Sequence, residues 1–329
     1  MKPKTLLLTS REIRSLLTVG SCLKVVEASF RAQGLNHVVL PPKLYLTLPK
    51  RVGDFRAMPA FLEDPPSCGM KWVNVHEGNR PKGLPTVMAL ILLNDPRTGF
   101  PLAVMDGTFV TQMRTGAAGA IAASALARED SSTLALIGCG IQAETQLLFL
   151  LRRFPLKRVW VWGPTEANRK QFLRRMRPLK SILRPIASIE EAVRSSDIVT
   201  TVTPSRRPLV LADWVRPGTH LNAIGADARG KQELDPKILK RSHLVVDDRE
   251  QSCHSGELNV PFSKGLISQR DIHATLAEVV TGQKRGRLSS REITVFDSTG
   301  LAIQDVAVAH WIYQRAIASK NKIRTISFM

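Results

Sequence analysis

A chain of 329 residues, 43% of them hydrophobic, holds enough apolar material for a large core and reads as two domains rather than one. Its 47 Lys and Arg against 28 Asp and Glu leave a net charge of +19, high for a small-molecule enzyme, which keeps nucleic acid or an anionic surface in play as partners. Four scattered cysteines (Cys22, Cys68, Cys139, Cys253) form no CxxC pair, which excludes a disulfide framework and a zinc site by spacing and implies a reducing, cytoplasmic setting. The longest uncharged stretches, Gly83 to Asn94 and Thr115 to Ala127, are too short to span a bilayer, and charge breaks the N-terminal segment before a signal-like core develops. A soluble, unprocessed protein is expected, with no fixed-period repeat.

In chain order, Ser10 to Gln33 reads as two short helices. Strands follow at KLYLTL, MKWVNV and TVMALILL, separated by Pro and Gly turns, so the region through Leu93 is an α+β unit. Thr111 to Arg128, rich in Ala, reads as a helix of little bulk suited to close packing. The segment TLALIGCGIQA, Thr133 to Ala143, is then an apolar strand running into a helix through a glycine turn. Gly138 permits the tight turn, Gly140 lets a pyrophosphate approach bare backbone, and the small Ala143 lets helix and strand pack closely. The N-terminus of that helix offers free N–H groups to phosphate.

From there strand and helix alternate: RVWVWG, a helix from Glu166, a strand near Ile182, SIEEAVRSSD as helix, then IVTTVT, HLNAIG, HLVVDD and EITVF as strands. This predicts an α/β fold with a doubly wound parallel sheet over 129–300. The last helix, Leu301 to Lys320, returns to the first domain, which comprises 1–128 and 301–329. Within the sheet domain, Leu151 to Arg184 carries eleven Lys or Arg against the single acid Glu166, more than half of the whole excess charge. A solvated helix face is the reading preferred for that window.

Ligands of such sheets bind at the carboxyl edge, where the loops contain Thr203 and Pro204, Gly225 to Asp227, Asp247 and Asp248, and Asp297 to Gly300. Asp227, directly after a strand, serves there either as a general acid or base or as the cap of a following turn.

The motifs DFRAMPAFL, CGMKWVNVHEGN, GLPTVMALILLNDPRTGFPLAVMDGT, MRTGAA, IGCGIQA, IGADARGKQEL and VFDSTGLAIQD together resemble the ornithine cyclodeaminase and mu-crystallin family over nearly the whole chain. Within it the likeness is greatest to the archaeal type of alanine dehydrogenase. The resemblance implies a homodimer whose subunits join a dimerisation and substrate domain, built from both chain ends, to a Rossmann domain. It makes Lys71 and Asp227 the catalytic pair and Arg114 a binder of the substrate carboxylate. The chemistry agrees: a guanidinium fork fixes a carboxylate better than an ammonium, a desolvated lysine exchanges a proton with the substrate nitrogen, and a carboxylate activates water against an imine. By residue type alone, Lys71 reads instead as a solvated strand residue and Arg114 as an ordinary helix charge.

Arg56 stands before Met58 and Pro59 where ornithine cyclodeaminases carry an acid, which suits a second carboxylate contact and repels the distal ammonium of ornithine. Lys43 stands where many relatives have Arg. The pocket so assembled is cationic (Lys43, Arg56, Lys71, Arg114), with Asp227 the only acid assigned to it, and fits a simple 2-amino or 2-oxo acid. Motif position puts Thr115, Gly138, Gly140, Ile141, Gln142, Thr165, Thr203 and Ser298 at the cofactor. The second strand ends in Gly163, Pro164 and Thr165 rather than in an acid, with Arg169 and Lys170 close behind, which tips NAD(P) slightly toward NADP(H). Cys139 fills space, His76 reads as core or surface, and Cys253 with His254 gives too few ligands for a metal.

The function expected is an NAD(P)-dependent oxidoreductase acting on the C–N bond of a small amino acid, or reducing an imine from a 2-oxo acid. The alternatives are a redox-neutral ornithine cyclodeaminase with bound NAD and a non-catalytic, crystallin-like binding protein. Nucleic-acid binding through the basic window ranks below these, because aromatics there are sparse apart from Trp160, Trp162 and Phe172.

Overall fold

The computed structural model describes residues 4–48, 53–319 and 323–328. The chain divides into two units, Met1–Arg114 with Leu301–Met329, and Thr115–Gly300. The first division falls inside the helix Gly107–Leu126 rather than at the expected break after 128.

The first unit is built on an eight-stranded sheet. Its centre is an antiparallel meander of Asp54–Leu62, Ser67–Val75, Val87–Asn94 and Pro101–Asp106. Thr5–Leu8 joins it in parallel on one side, and Leu44–Thr47 pairs with Asp54–Leu62 on the other. Alternation of buried and half-buried positions from Phe55 to Leu62 and along Ser67–Val75 shows that one face is covered. The cover is the helix Ala302–Ala318, which packs on these strands and on the helix Val19–Gly34. The expected end of the last helix, Lys320, lies outside the described residues.

In the second unit eight parallel strands lie in the order 183–186, 158–162, 133–137, 198–201, 220–223, 294–297, 243–246, 274–275. The order reverses between Thr133–Ile137 and Ile198–Thr201, the switch point at which a doubly wound sheet opens a crevice for a nucleotide. The Ala-rich helix is small for a reason: a Cβ on Gly116 would collide with Phe149 and the backbone of Thr145, and one on Gly119 with Gln146. Helix Ile141–Leu150 therefore approaches closely enough for Gln146 Nε2 to donate to the Thr115 carbonyl at 2.9 Å. In the basic window Phe172 is fully buried and Trp160 and Trp162 pack against the core, so these rings support the sheet domain. Among the described residues no helix is long and apolar enough to cross a membrane.

Candidate active site

In the first unit, register decides which side chains meet. Met58 pairs with Lys71 and Arg56 with Val73, so Arg56, Met58, Lys71 and Val73 share the covered face. Lys71 is flanked there by Met58 and Ile91 and is fully buried. From the covering helix Asp305, also fully buried, accepts a hydrogen bond from Lys71 Nζ at 2.5 Å and one from Arg114 Nε at 3.3 Å. Arg114 also donates to Gln304 Oε1 at 3.3 Å, while Gln304 Nε2 is buried without a protein partner. Burial, aided by the positive charges of Arg114 and Lys43 and opposed by Asp305, pushes Lys71 down to about 7. These facts remove the reading of Lys71 as a solvated strand residue and of Arg114, only 7% exposed, as an ordinary helix charge.

Arg56 is buried on the same face, but its guanidinium is held bidentately by Asp54 at 2.8 and 3.0 Å. The assignment of Asp227 as the only acid among the cations is thus corrected: Asp305 and Asp54 meet Lys71, Arg114 and Arg56 directly. Buried cations demand such partners, since an uncompensated charge in the interior costs several kcal/mol. The signal for Asp305 was present in AIQDVAVA, a lone acid one turn from buried apolar positions on its helix. His76 packs against Phe55 and its Nδ1–H donates to Asn74 Oδ1 at 3.2 Å, Phe55 and Asn74 lying on the face opposite Lys71.

In the second unit the glycine turn has the geometry its sequence demands. Gly138 adopts φ +121°, open to glycine, and a Cβ there would strike Val202. Gly140 is the N-cap of helix Ile141–Leu150, and a Cβ there would meet nothing within 4 Å, so the backbone faces open space. Ile141 and Gln142 begin the helix, and the first N–H groups of a helix lack an acceptor within it and suit an anion. Thr203 follows the fourth strand and Ser298 follows Thr294–Asp297. The Ser298 hydroxyl is buried without a protein partner, an orphan suited to a ligand contact. Open backbone at Gly140 and an orphan hydroxyl at Ser298 fit a dinucleotide.

At the end of the second strand Thr165 caps the next helix, Arg169 donates to the Gly163 carbonyl at 2.7 Å, and Lys170 pairs with Glu166 at 2.6 Å. The sulfur of Cys139 lies against Gly163, consistent with its filling space. Asp227 is about one-third exposed and forms an ion pair with Lys231 at 2.8 Å, a partner not foreseen in the sequence. Among the described residues no group of three or more His, Cys, Asp or Glu is arranged to hold a metal ion.

The chain matches the Ornithine cyclodeaminase/mu-crystallin family over residues 3–320. It is 52% identical over 325 residues to the alanine dehydrogenase of Archaeoglobus fulgidus, covering 99% of each chain. Among solved structures it resembles an archaeal alanine dehydrogenase dimer with bound NAD, with TM-score 0.94, 51% identity and coverage of 99% of this chain and all of the other. It also resembles the Thermococcus litoralis Delta(1)-pyrroline-2-carboxylate reductase in complex with NADH and L-proline, with TM-score 0.93, 39% identity and coverage of 95% and 98%.

Proposed function

The chain belongs to the ornithine cyclodeaminase/mu-crystallin family, and from that premise we propose that it is an NAD(P)-dependent oxidoreductase acting on the C–N bond of a small amino acid, or in reverse reducing an imine of a 2-oxo acid. The observation that carries this reading is the buried Lys71–Asp305–Arg114 cluster, with an amine pushed down to about 7 beside a guanidinium. A general base works best when its pKa lies near the working pH.

In this mechanism Arg114 holds the substrate carboxylate, assisted by the unpartnered Nε2 of Gln304 and by the charges of Lys43 and Arg56. Lys71 takes a proton from the substrate ammonium in the oxidative direction and returns it in reverse, while Asp305 holds the amine in place. Asp227, poised by Lys231, activates the water that adds to the imine form of the substrate. The nicotinamide dinucleotide, when bound, supplies the hydride chemistry. Thr115, Gly138, Gly140, Ile141, Gln142, Thr165, Thr203 and Ser298 are the residues proposed to hold it. The solved relatives hold NAD and NADH; here the absence of an acid at Gly163 to Thr165, with Arg169 beside them, supports acceptance of a 2′-phosphate as well.

The first unit is proposed to bind substrate and pair with a second copy, the second to bind nucleotide. The outer face of the first sheet supports pairing: register aligns Leu44, Ala57, Trp72 and Leu90 across four strands, and Leu44 and Leu90 are 61% and 55% exposed. The proposed setting is the cytoplasm, supported by four cysteines, none of which forms a disulfide.

The test follows the absorbance of the reduced nicotinamide with pyruvate and ammonia or methylamine, NADH against NADPH, and with L-alanine or L-ornithine in the oxidative direction. Net nucleotide turnover is the expected result and ranks the two cofactors. Proline released from ornithine without net turnover replaces the reading by a cyclodeaminase, and silence on both counts by a binding protein.

A further inference from the structure

We propose that Glu233 is a positioning residue for the reaction just described: its buried carboxylate locks the loop carrying Thr203 to the loop carrying Asp227, so that a nucleotide contact and the water-activating group are set together. The inference rests on that functional reading for the roles of Thr203 and Asp227, but the tie itself is seen directly. Glu233 Oε1 accepts hydrogen bonds from Thr203 N and Thr203 Oγ1, both at 2.7 Å, and its Oε2 accepts one from Gly225 N at 2.8 Å. Thr203 lies just past the fourth strand, Ile198–Thr201, and Gly225 just past the fifth, His220–Ala223, two residues before Asp227.

The loops have no room for another arrangement. A Cβ on Gly225 would collide with the Thr203 backbone and with Glu233 Oε2, so the two loops touch and the carboxylate sits where they meet. Glu233 is itself anchored: its N–H donates to both oxygens of Glu257, at 2.9 and 3.0 Å, and Glu257 N in turn donates to Asp297 Oδ1 at 2.9 Å. Asp297 ends a strand of the parallel sheet, so the tie is referred back to the sheet.

A fully buried carboxylate is a costly way to join two loops, and burial pushes Glu233 up to about 7. An amide or hydroxyl in its place offers one acceptor where the loops present three donors on two sides. What the carboxylate provides is geometry. Hydride transfer and attack by water both depend on reacting groups held within about half an ångström, and a shift of about 1 Å costs on the order of a hundredfold in rate.

The test is Glu233→Gln, which keeps the shape but turns an NH2 toward a donor N–H of Thr203 or Gly225. Hydrogen exchange at 203–205 and 224–227 is expected to accelerate about tenfold or more while the adjoining strands stay protected, NADH affinity read by tryptophan fluorescence to fall about tenfold, and kcat about 10–100-fold. Should that variant not fold, Thr203→Val removes one of the three donors and is expected to accelerate exchange at 224–227, on the loop that the substitution itself does not touch; unchanged exchange there overturns the proposal. Exchange and NADH affinity within about twofold of wild type, with only a lowered melting temperature, overturn the proposal and leave Glu233 a purely structural group. Exchange and binding need no turnover, so they decide the role of Glu233 even if wild type proves silent with every substrate, a result that instead overturns the reaction.

Discussion

In the first unit Lys71 and Arg114 are buried around one shared carboxylate, Asp305, whereas in the second Glu233, Glu257, Asp247 and Asp297 are buried on backbone N–H and hydroxyl donors. The consequences run in opposite directions. Burial pushes Lys71 down to about 7 and Glu233 and Asp297 up to about 7 and about 8, so a base and a set of acids all titrate near neutrality. Side chains that neutralise one another are vulnerable to the loss of one member, because the survivor is left charged in the interior. Carboxylates held by backbone can keep a proton, so replacement by an amide costs hydrogen bonds but leaves no unpaired charge in the interior.

The comparison is sharpened first by Lys71→Met. It is expected to lower kcat by about a thousandfold while leaving Arg114 to neutralise Asp305, so that the folded chain persists; steady-state turnover alongside circular dichroism reads both. Asp305→Asn comes next. With Arg114 deprived of its anion and Lys71 driven to the neutral amine, destabilisation of about 3–5 kcal/mol is expected in urea unfolding, and a loss under about 1 kcal/mol would break the account of that cluster.

The backbone-held acids give a smaller effect. Asp297→Asn keeps an oxygen for the Glu257 N–H, gives up the longer bond from Leu258 N–H and replaces a group that is already largely neutral at pH 7, so a change of about 1 kcal/mol is expected. The pH dependence of stability separates the clusters further. For Glu233 and Asp297 the folded state holds more protons than the unfolded one between about pH 4 and 8, so their contribution falls as pH rises through that window. For Lys71 the unfolded state holds more protons between about 7 and 10.5, so its contribution rises with pH there. Melting temperatures across pH should show a shallower neutral-side fall in Asp297→Asn, the share of Glu233 remaining, and should lose the alkaline rise in Lys71→Met. The smallest expected effect is kinetic: in the oxidative direction kcat/KM should climb through about pH 7 as Lys71 loses its proton.

Much of this molecule was legible in its sequence. The turn at Gly138 and Gly140 and the alternation of strand and helix that follows prescribe a parallel doubly wound sheet, because only small residues pass so close a turn and only buried strands are apolar throughout. Lys71 also lay in phase with Val73 and Val75, which betrays a buried lysine once strand period is taken seriously. What tertiary structure alone decided is the pairing of charge. Asp305 is 234 residues from Lys71 and 191 from Arg114, and Glu233 is 30 from Thr203. Local periodicity says that such an acid is buried; only the approach of a helix to a sheet, or of one loop to another, says what it neutralises or holds.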